Sequence, residues 1–291
     1  MRAIDVHVHP MTQNYIVALG DFIAAQERLF RVKLQPKTNE EMAEDFRRED
    51  IRAIVIAWDA QSTMGGGVIP NDTVAQLTQE FPDVFLPGWA MVDPWKGELA
   101  LKELERAITS LGMLGAKWHP PIQAFHVNDH RFYPFWDLCQ ALDAPVLIHT
   151  GMTGVGQGMP GGGGVKNKYG RPFPHLDDLA ADFPRLTIIA AHSGWPWSEE
   201  LIAVALHKPN VFIEVSGYRP RYLPAALKHE ISRRLQDKVM FGSDYPALSP
   251  VQCLDELEME GFKTEIIEKL FRSNAIHALK LDKRCPKAIR D

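Results

Sequence analysis

The sequence predicts an α/β protein folded as a distorted (β/α)8 TIM barrel, one domain over residues 1–291 with long rim loops. Three observations lead there. Eight short apolar or β-branched runs follow one another, separated by stretches with helical spacing of apolar residues. Several of these runs are nearly continuous in Val, Ile, Leu and Ala, as expected of parallel strands covered on both faces. No internal repeat and no linker rich in Pro, Gly or Ser marks a second domain, and strand–helix alternation at this spacing argues for βα units.

In order, the expected strands cover 3–8, 52–58, 84–92, 113–118, 145–149, 187–192, 211–215 and 239–243. Thr38 can cap a helix running to Arg47, with Glu41 three residues on to complete a capping box. A second helix runs from Asp72 to Phe81, where Pro82 stops it. Helical patterns then cover 96–111, 131–142, 176–183, 198–207, 223–235 and 264–279. Two connections, 10–37 and 151–175, are longer than a barrel requires. Both leave the C-terminal end of a strand, the rim where barrel active sites are built, and are expected to be loops covering a substrate.

Composition narrows the function classes. The chain is 45% hydrophobic and 24% charged with a net charge of −5 and mixed signs, so it has no basic stripe for nucleic acid. Its three cysteines, Cys139, Cys253 and Cys285, are far apart, which disfavours disulfides and thiolate zinc sites. No run of 18 apolar residues could cross a membrane and no secretory pattern opens the chain. A soluble, cytoplasmic protein is the expectation.

The chemistry begins at Asp5-Val6-His7-Val8-His9. Residues two apart on a strand share a face, so His7 and His9 can meet at the rim while Val6 and Val8 pack outward. His149, His192 and Asp244 each end another apolar run and precede turn residues, the position from which barrel catalytic groups project. Polar groups buried there are costly unless satisfied. One shared metal would satisfy them all, and imidazoles with a carboxylate suit Zn²⁺, with Mn²⁺, Fe²⁺ or Co²⁺ as alternatives. Asp5 reads as a support for the histidines rather than a ligand.

This order of residues, with Ile-His-Thr-Gly at 148–151 and Phe-Gly-Ser-Asp-Tyr-Pro at 241–246, resembles the amidohydrolase superfamily over essentially the whole chain. The resembled branch contains aminocarboxymuconate-semialdehyde decarboxylase and related decarboxylases, hydratases and hydrolases of aromatic catabolism. The resemblance implies that His7, His9, His149 and Asp244 bind one divalent metal, with His192 and Asp244 catalytic and His192 acting as acid/base. Lys117, on the fourth strand, has two readings. Two-metal members carry a carboxylated bridging lysine there; otherwise the amine orients an anionic substrate or pairs with a carboxylate, and the resembled branch favours one metal. His119 shares the rim face with Lys117 as a substrate contact or a support.

The glycine-rich stretch 151–164 lacks the Lys-Ser or Lys-Thr of a phosphate loop and fits a dinucleotide fingerprint poorly; it reads as a lid. Lys166, Lys168, Arg171, Arg219 and Arg221 are candidates for binding a carboxylate or the phosphates of a coenzyme A ester. Trp195, Trp197 and Tyr218 are candidates for an aromatic wall. The resemblance favours hydrolysis of a carbon–carbon bond in a β-ketoacyl-CoA thioester, acting as a homodimer. The alternative is a metal-dependent non-oxidative decarboxylase, or a hydratase, of an aromatic or muconate-type acid. Several aromatic decarboxylases of the branch replace the first His-x-His by a Glu-containing motif, and the retained histidines weigh against that alternative. A barrel that only stores or senses metal is a third reading.

Overall fold

The computed structural model describes residues 1–290. Eight parallel strands stand in sequence order: β1 (Ala3–Val8), β2 (Ile51–Ile56), β3 (Phe85–Ala90), β4 (Gly115–Trp118), β5 (Val146–His149), β6 (Ile188–Ala191), β7 (Val211–Glu214) and β8 (Val239–Met240). The barrel closes between β8 and β1 through backbone bonds rather than a long ladder. Val6 N donates to Phe241 O at 3.2 Å, Asp244 N to His7 O at 3.0 Å and His9 N to Tyr245 O at 2.8 Å. This is the expected (β/α)8 barrel. Most strands are shorter than the apolar runs suggested, because the chain leaves the ladder where polar residues turn onto the rim.

The helices follow their local signals. Thr38 accepts from Glu41 N, and the Glu41 side chain accepts from Thr38 N, closing the capping box of helix Asn39–Arg48. Helices Asn71–Glu80, Glu98–Thr109, Tyr133–Ala141, His175–Asp182, Ser198–His207 and Ala225–Ile231 lie within a few residues of expectation. Three differences matter. The 10–37 segment is not an open loop but carries helices Gln13–Leu19 and Phe22–Phe30. Helix Pro250–Met259, capped by Ser249 with Pro250 in its first turn, was not expected at all. The 264–279 run is broken into Thr264–Glu268 and Asn274–Leu279 by a π-helical turn at Lys269–Ser273. The 151–175 segment holds short 3-10 turns at Pro160–Gly164 and Asn167–Gly170 before helix His175–Asp182 begins.

Two apolar layers hold the barrel. Ile4, Val6, Ile54, Ile56, Leu86, Trp89, Leu147, Ile189 and Met240 meet inside it, and Ala275, Leu279 and Leu281 pack onto the same cluster. Val8, Ala53, Val55, Trp118, Val146, Ile148 and Ile213 face the helices instead. Val6 therefore packs inward, against expectation. The β1–β2 register slips between Asp5 and Val8, and the slip lets Val6 stay in the lumen while His7 also turns to the site. Trp89 Nε1 donates to Val6 O at 2.9 Å across the lumen, satisfying a buried indole that would otherwise cost one to a few kcal/mol.

Candidate metal centre at the barrel rim

His7 and His9 at the end of β1 meet Asp244, just beyond β8. Asp244 Oδ1 lies 3.5 Å from His7 Nε2 and 3.4 Å from His9 Nε2, and one ligand atom from each lies within 4.8 Å of the others. Two ligands about 2.1 Å from a tetrahedral ion stand roughly 3.4 Å apart, and the separations of Asp244 Oδ1 from the two imidazole nitrogens match that spacing.

The other imidazoles extend the cluster. His192 Nδ1 lies 3.1 Å from the carbonyl oxygen of Ser216, which can only accept, so this nitrogen carries the proton. Its Nε2 then accepts from His149 Nδ1 at 2.9 Å. That leaves His149 Nε2 with a free lone pair, buried and without a partner among the described residues. A buried acceptor left open in this way suits a metal ligand. His119 stacks on His149 with ring centroids 3.8 Å apart, and its Nε2 lies 3.3 Å from Thr153 Oγ1 of the glycine-rich segment. Burial pushes His7, His119, His149 and His192 below the ordinary imidazole value. They are neutral at physiological pH, as metal ligation requires.

Lys117 sits in the same lumen, buried, and its Nζ has no hydrogen-bond partner among the described residues. Burial lowers its pKa to about 8, although Glu214 and Asp244 pull it upward. The amine makes no ion pair with a carboxylate among the described residues. Burial raises Asp244, but the hydrogen bond from His9 and the neighbouring imidazoles hold it below the usual carboxylate value. Asp5 is buried beneath the cluster and accepts from Ser243 N at 2.9 Å and His7 N at 3.2 Å. Burial raises its pKa to about 7. Its place between β1 and β8 is that of a support.

His192 and Asp244 both adopt left-handed backbone, with φ of 72° and 68°. For residues other than glycine this costs on the order of 1–2 kcal/mol. Gly217 makes the crowding tolerable: a Cβ there would stand 2.7 Å from His192 Nδ1.

Residues expected to contact substrate divide into two groups. Lys117 and His119 join the cluster. Trp195 stands at the rim with its indole exposed. Arg219 and Arg221 do not present free guanidinium groups; both pair with Glu256, Arg221 at 3.2 Å. Arg219 lines a groove of about 750 Å³ with Tyr245 and Cys253, away from the histidines, and Arg171 pairs with Glu200. Two further aromatic residues stand next to the cluster: Tyr15 lies 5.6 Å from His9, and Trp58 lies 6.2 Å from His9 and 6.4 Å from His119.

Sequence reasoning also missed Glu214. It ends β7, is fully buried, and lies 2.7 Å from His7 Nδ1. The signal was present, since Val211-Phe212-Ile213-Glu214-Val215 is an apolar run interrupted by one acid, the pattern that singled out His149 and Asp244.

Against this geometry stand the likenesses to known proteins. A 2-amino-3-carboxymuconate-6-semialdehyde decarboxylase of Dictyostelium discoideum is 26% identical over 245 residues, covering 73% of this chain. The match spans 66% of that curated relative, slightly under two thirds of its length. An uncharacterised TIM-barrel protein from Bordetella bronchiseptica has a similar solved structure, with a TM-score of 0.81 at 23% identity, covering 96% of this chain and 99% of that one. A dihydroxybenzoic acid decarboxylase from Polaromonas sp. JS666, solved with bound manganese and the inhibitor 2-nitroresorcinol, gives a TM-score of 0.70 at 18% identity. That likeness covers 97% of this chain and 98% of the other. At these identities the solved structures speak for the fold. A family model described as amidohydrolase matches residues 4–281, and the chain belongs to that family.

Proposed function

We propose that this protein is a metal-dependent, non-oxidative decarboxylase of an aromatic or muconate-type carboxylic acid. The single observation that carries the reading is the meeting, in one buried lumen, of the His7–His9–Asp244 donor set with the unpaired amine of Lys117. The decarboxylases among its relatives support a carboxy-lyase over the carbon–carbon hydrolysis that the resemblance favoured. The pairing of Arg219 and Arg221 with Glu256 also occupies two of the rim cations proposed to meet a coenzyme A ester.

In this reading His7, His9, His149 and Asp244 hold the divalent ion. When bound, such an ion polarises a substrate oxygen and offsets its charge. Lys117 attracts the substrate carboxylate, and Trp58 and Tyr15 supply flat apolar surface for a conjugated ring or chain. The reaction adds a proton to the carbon bearing the carboxylate, breaks the carbon–carbon bond and releases carbon dioxide. His192, with its Nδ1–H anchored on Ser216 O, takes up a second proton at Nε2, in place of the bond from His149 Nδ1, and so becomes the proton donor. Its lowered pKa makes the imidazolium a stronger acid, which favours giving the proton to carbon.

The test is direct. The metal-loaded protein is incubated with hydroxybenzoic and carboxymuconate-type acids and with a β-ketoacyl thioester, following carbon dioxide and product by mass spectrometry. Carbon dioxide release without incorporation of water oxygen is the expected result. Turnover of the thioester alone, with every acid untouched, would overturn it.

A further inference from the structure

Glu214 has a role that the residues around it define. Its Oε1 accepts from three donors: His7 Nδ1 at 2.7 Å, Ser216 Oγ at 2.9 Å and the backbone N–H of His192 at 3.3 Å. Its Oε2 accepts from Ser216 N at 2.7 Å. The space for this carboxylate is made by Gly242, where a Cβ would stand 2.5 Å from Oε2. One buried side chain from β7 therefore grips both the end of β1 and the end of β6.

A carboxylate accepts and does not donate. Facing His7 Nδ1, it fixes the imidazole proton on that nitrogen and leaves the lone pair on Nε2, the atom 3.5 Å from Asp244 Oδ1. The same oxygen holds the backbone of His192, whose left-handed φ of 72° needs an anchor, while Ser216 O receives the His192 ring. A carboxylate behind a ligating imidazole fixes both its tautomer and its orientation, and removing one typically costs 10–100-fold in metal affinity.

We propose that Glu214 is the positioning residue of the site, selecting the Nδ1–H tautomer of His7 for metal binding and seating His192 through its backbone. The proposal rests on the reading of His7 as a metal ligand.

A glutamine at 214 has the same shape but must aim its NH2 at one of the donors. With its oxygen on Ser216 N, the amide donates to His7 Nδ1 and drives the imidazole proton to Nε2. The experiment joins ¹⁵N spectra of the histidine rings in the metal-free protein with Zn²⁺ and Mn²⁺ affinities from competition with a chromophoric chelator. The wild type is expected to show His7 protonated at Nδ1. Glu214→Gln is expected to move that proton and weaken metal binding 10–100-fold, and Glu214→Asp to recover part of the loss. A wild-type His7 protonated at Nε2 overturns the proposal and requires no variant to fold. Glu214→Gln with unchanged tautomer and affinity overturns it as well. His7→Ala separates the two readings: if it binds metal like the wild type, the ligand assignment fails, whereas the tautomer measurement tests Glu214 alone.

Discussion

Lys117 carries an amine into a lumen where burial opposes its charge, and the consequence for stability has a definite sign. Its pKa falls from 10.5 to about 8 on folding, so the folded state binds this proton less readily than the unfolded chain. Stability from a depressed base is present above the unfolded pKa and is lost as pH falls through the folded one. The loss amounts to roughly 3 kcal/mol once pH is below 8. Lys117→Met, which keeps length and removes the charge, should therefore gain stability over the metal-free wild type as pH drops from 10.5 to 8. Below that the advantage should stay level. Urea unfolding of both proteins across this range measures it, and a difference that does not change with pH would show that the amine is not desolvated. At this scale the sequence was most legible where a polar residue ended an apolar strand: His7, His9, His149, His192 and Asp244 all reach one site. It was least legible for Arg219 and Arg221, because Glu256, a partner more than 30 residues away, decides where their guanidinium groups go.

The rim segments show what local pattern can and cannot say about elements. Capping chemistry is short-range, so Thr38 and Glu41 announced their helix correctly. Ser249-Pro250 carries an equally local start signal, and helix Pro250–Met259 was legible but passed over. The π-helical turn at Lys269–Ser273 follows no composition cue, since helical periodicity runs through it. Helix Phe22–Phe30 owes its place to tertiary contact: its side chains lie against the glycine-rich segment. A Cβ at Gly163 would stand 2.6 Å from Phe22 Cε1, and one at Gly154 would stand 2.6 Å from Leu29 Cδ2. Glycine at 163 is doubly required, because its φ is 62°. The two rim segments thus fit together as one covering next to the histidines, with Thr153 reaching His119. Gly163→Ala adds a left-handed penalty of about 1 kcal/mol and overpacking of about 1–3 kcal/mol. Both fall on a segment outside the barrel core. Amide exchange over 151–170 should accelerate and KM should rise severalfold, while the global unfolding midpoint moves little. Unchanged exchange in that segment would mean that the contact with Phe22 does not hold it.

Over the whole molecule, the proposed ligands straddle the weakest joint of the barrel. Seven parallel strand pairs run from β1 to β8, but β8 has two residues and meets β1 through three backbone bonds and one isolated bridge at Val8–Tyr245. His7 and His9 lie on one side of that seam and Asp244 on the other, with Asp5 beneath, tied to Ser243. An ion held by all three crosslinks the first strand to the last, across most of the length of the chain. Binding to the folded state alone stabilises it by RT ln(1 + [M]/Kd), about 4 kcal/mol at a thousandfold excess over Kd. Chelation should therefore lower the melting temperature by several degrees, and re-addition of Zn²⁺ or Mn²⁺ should restore it. His149→Ala, which leaves the seam residues in place, should retain more of this metal-dependent gain than His9→Ala or Asp244→Ala. Differential scanning calorimetry with and without chelator measures each difference. Equal losses in the three variants would place the stabilisation in the centre as a unit rather than in the closure of the barrel, because only two of the three substitutions remove a ligand from the β1–β8 seam.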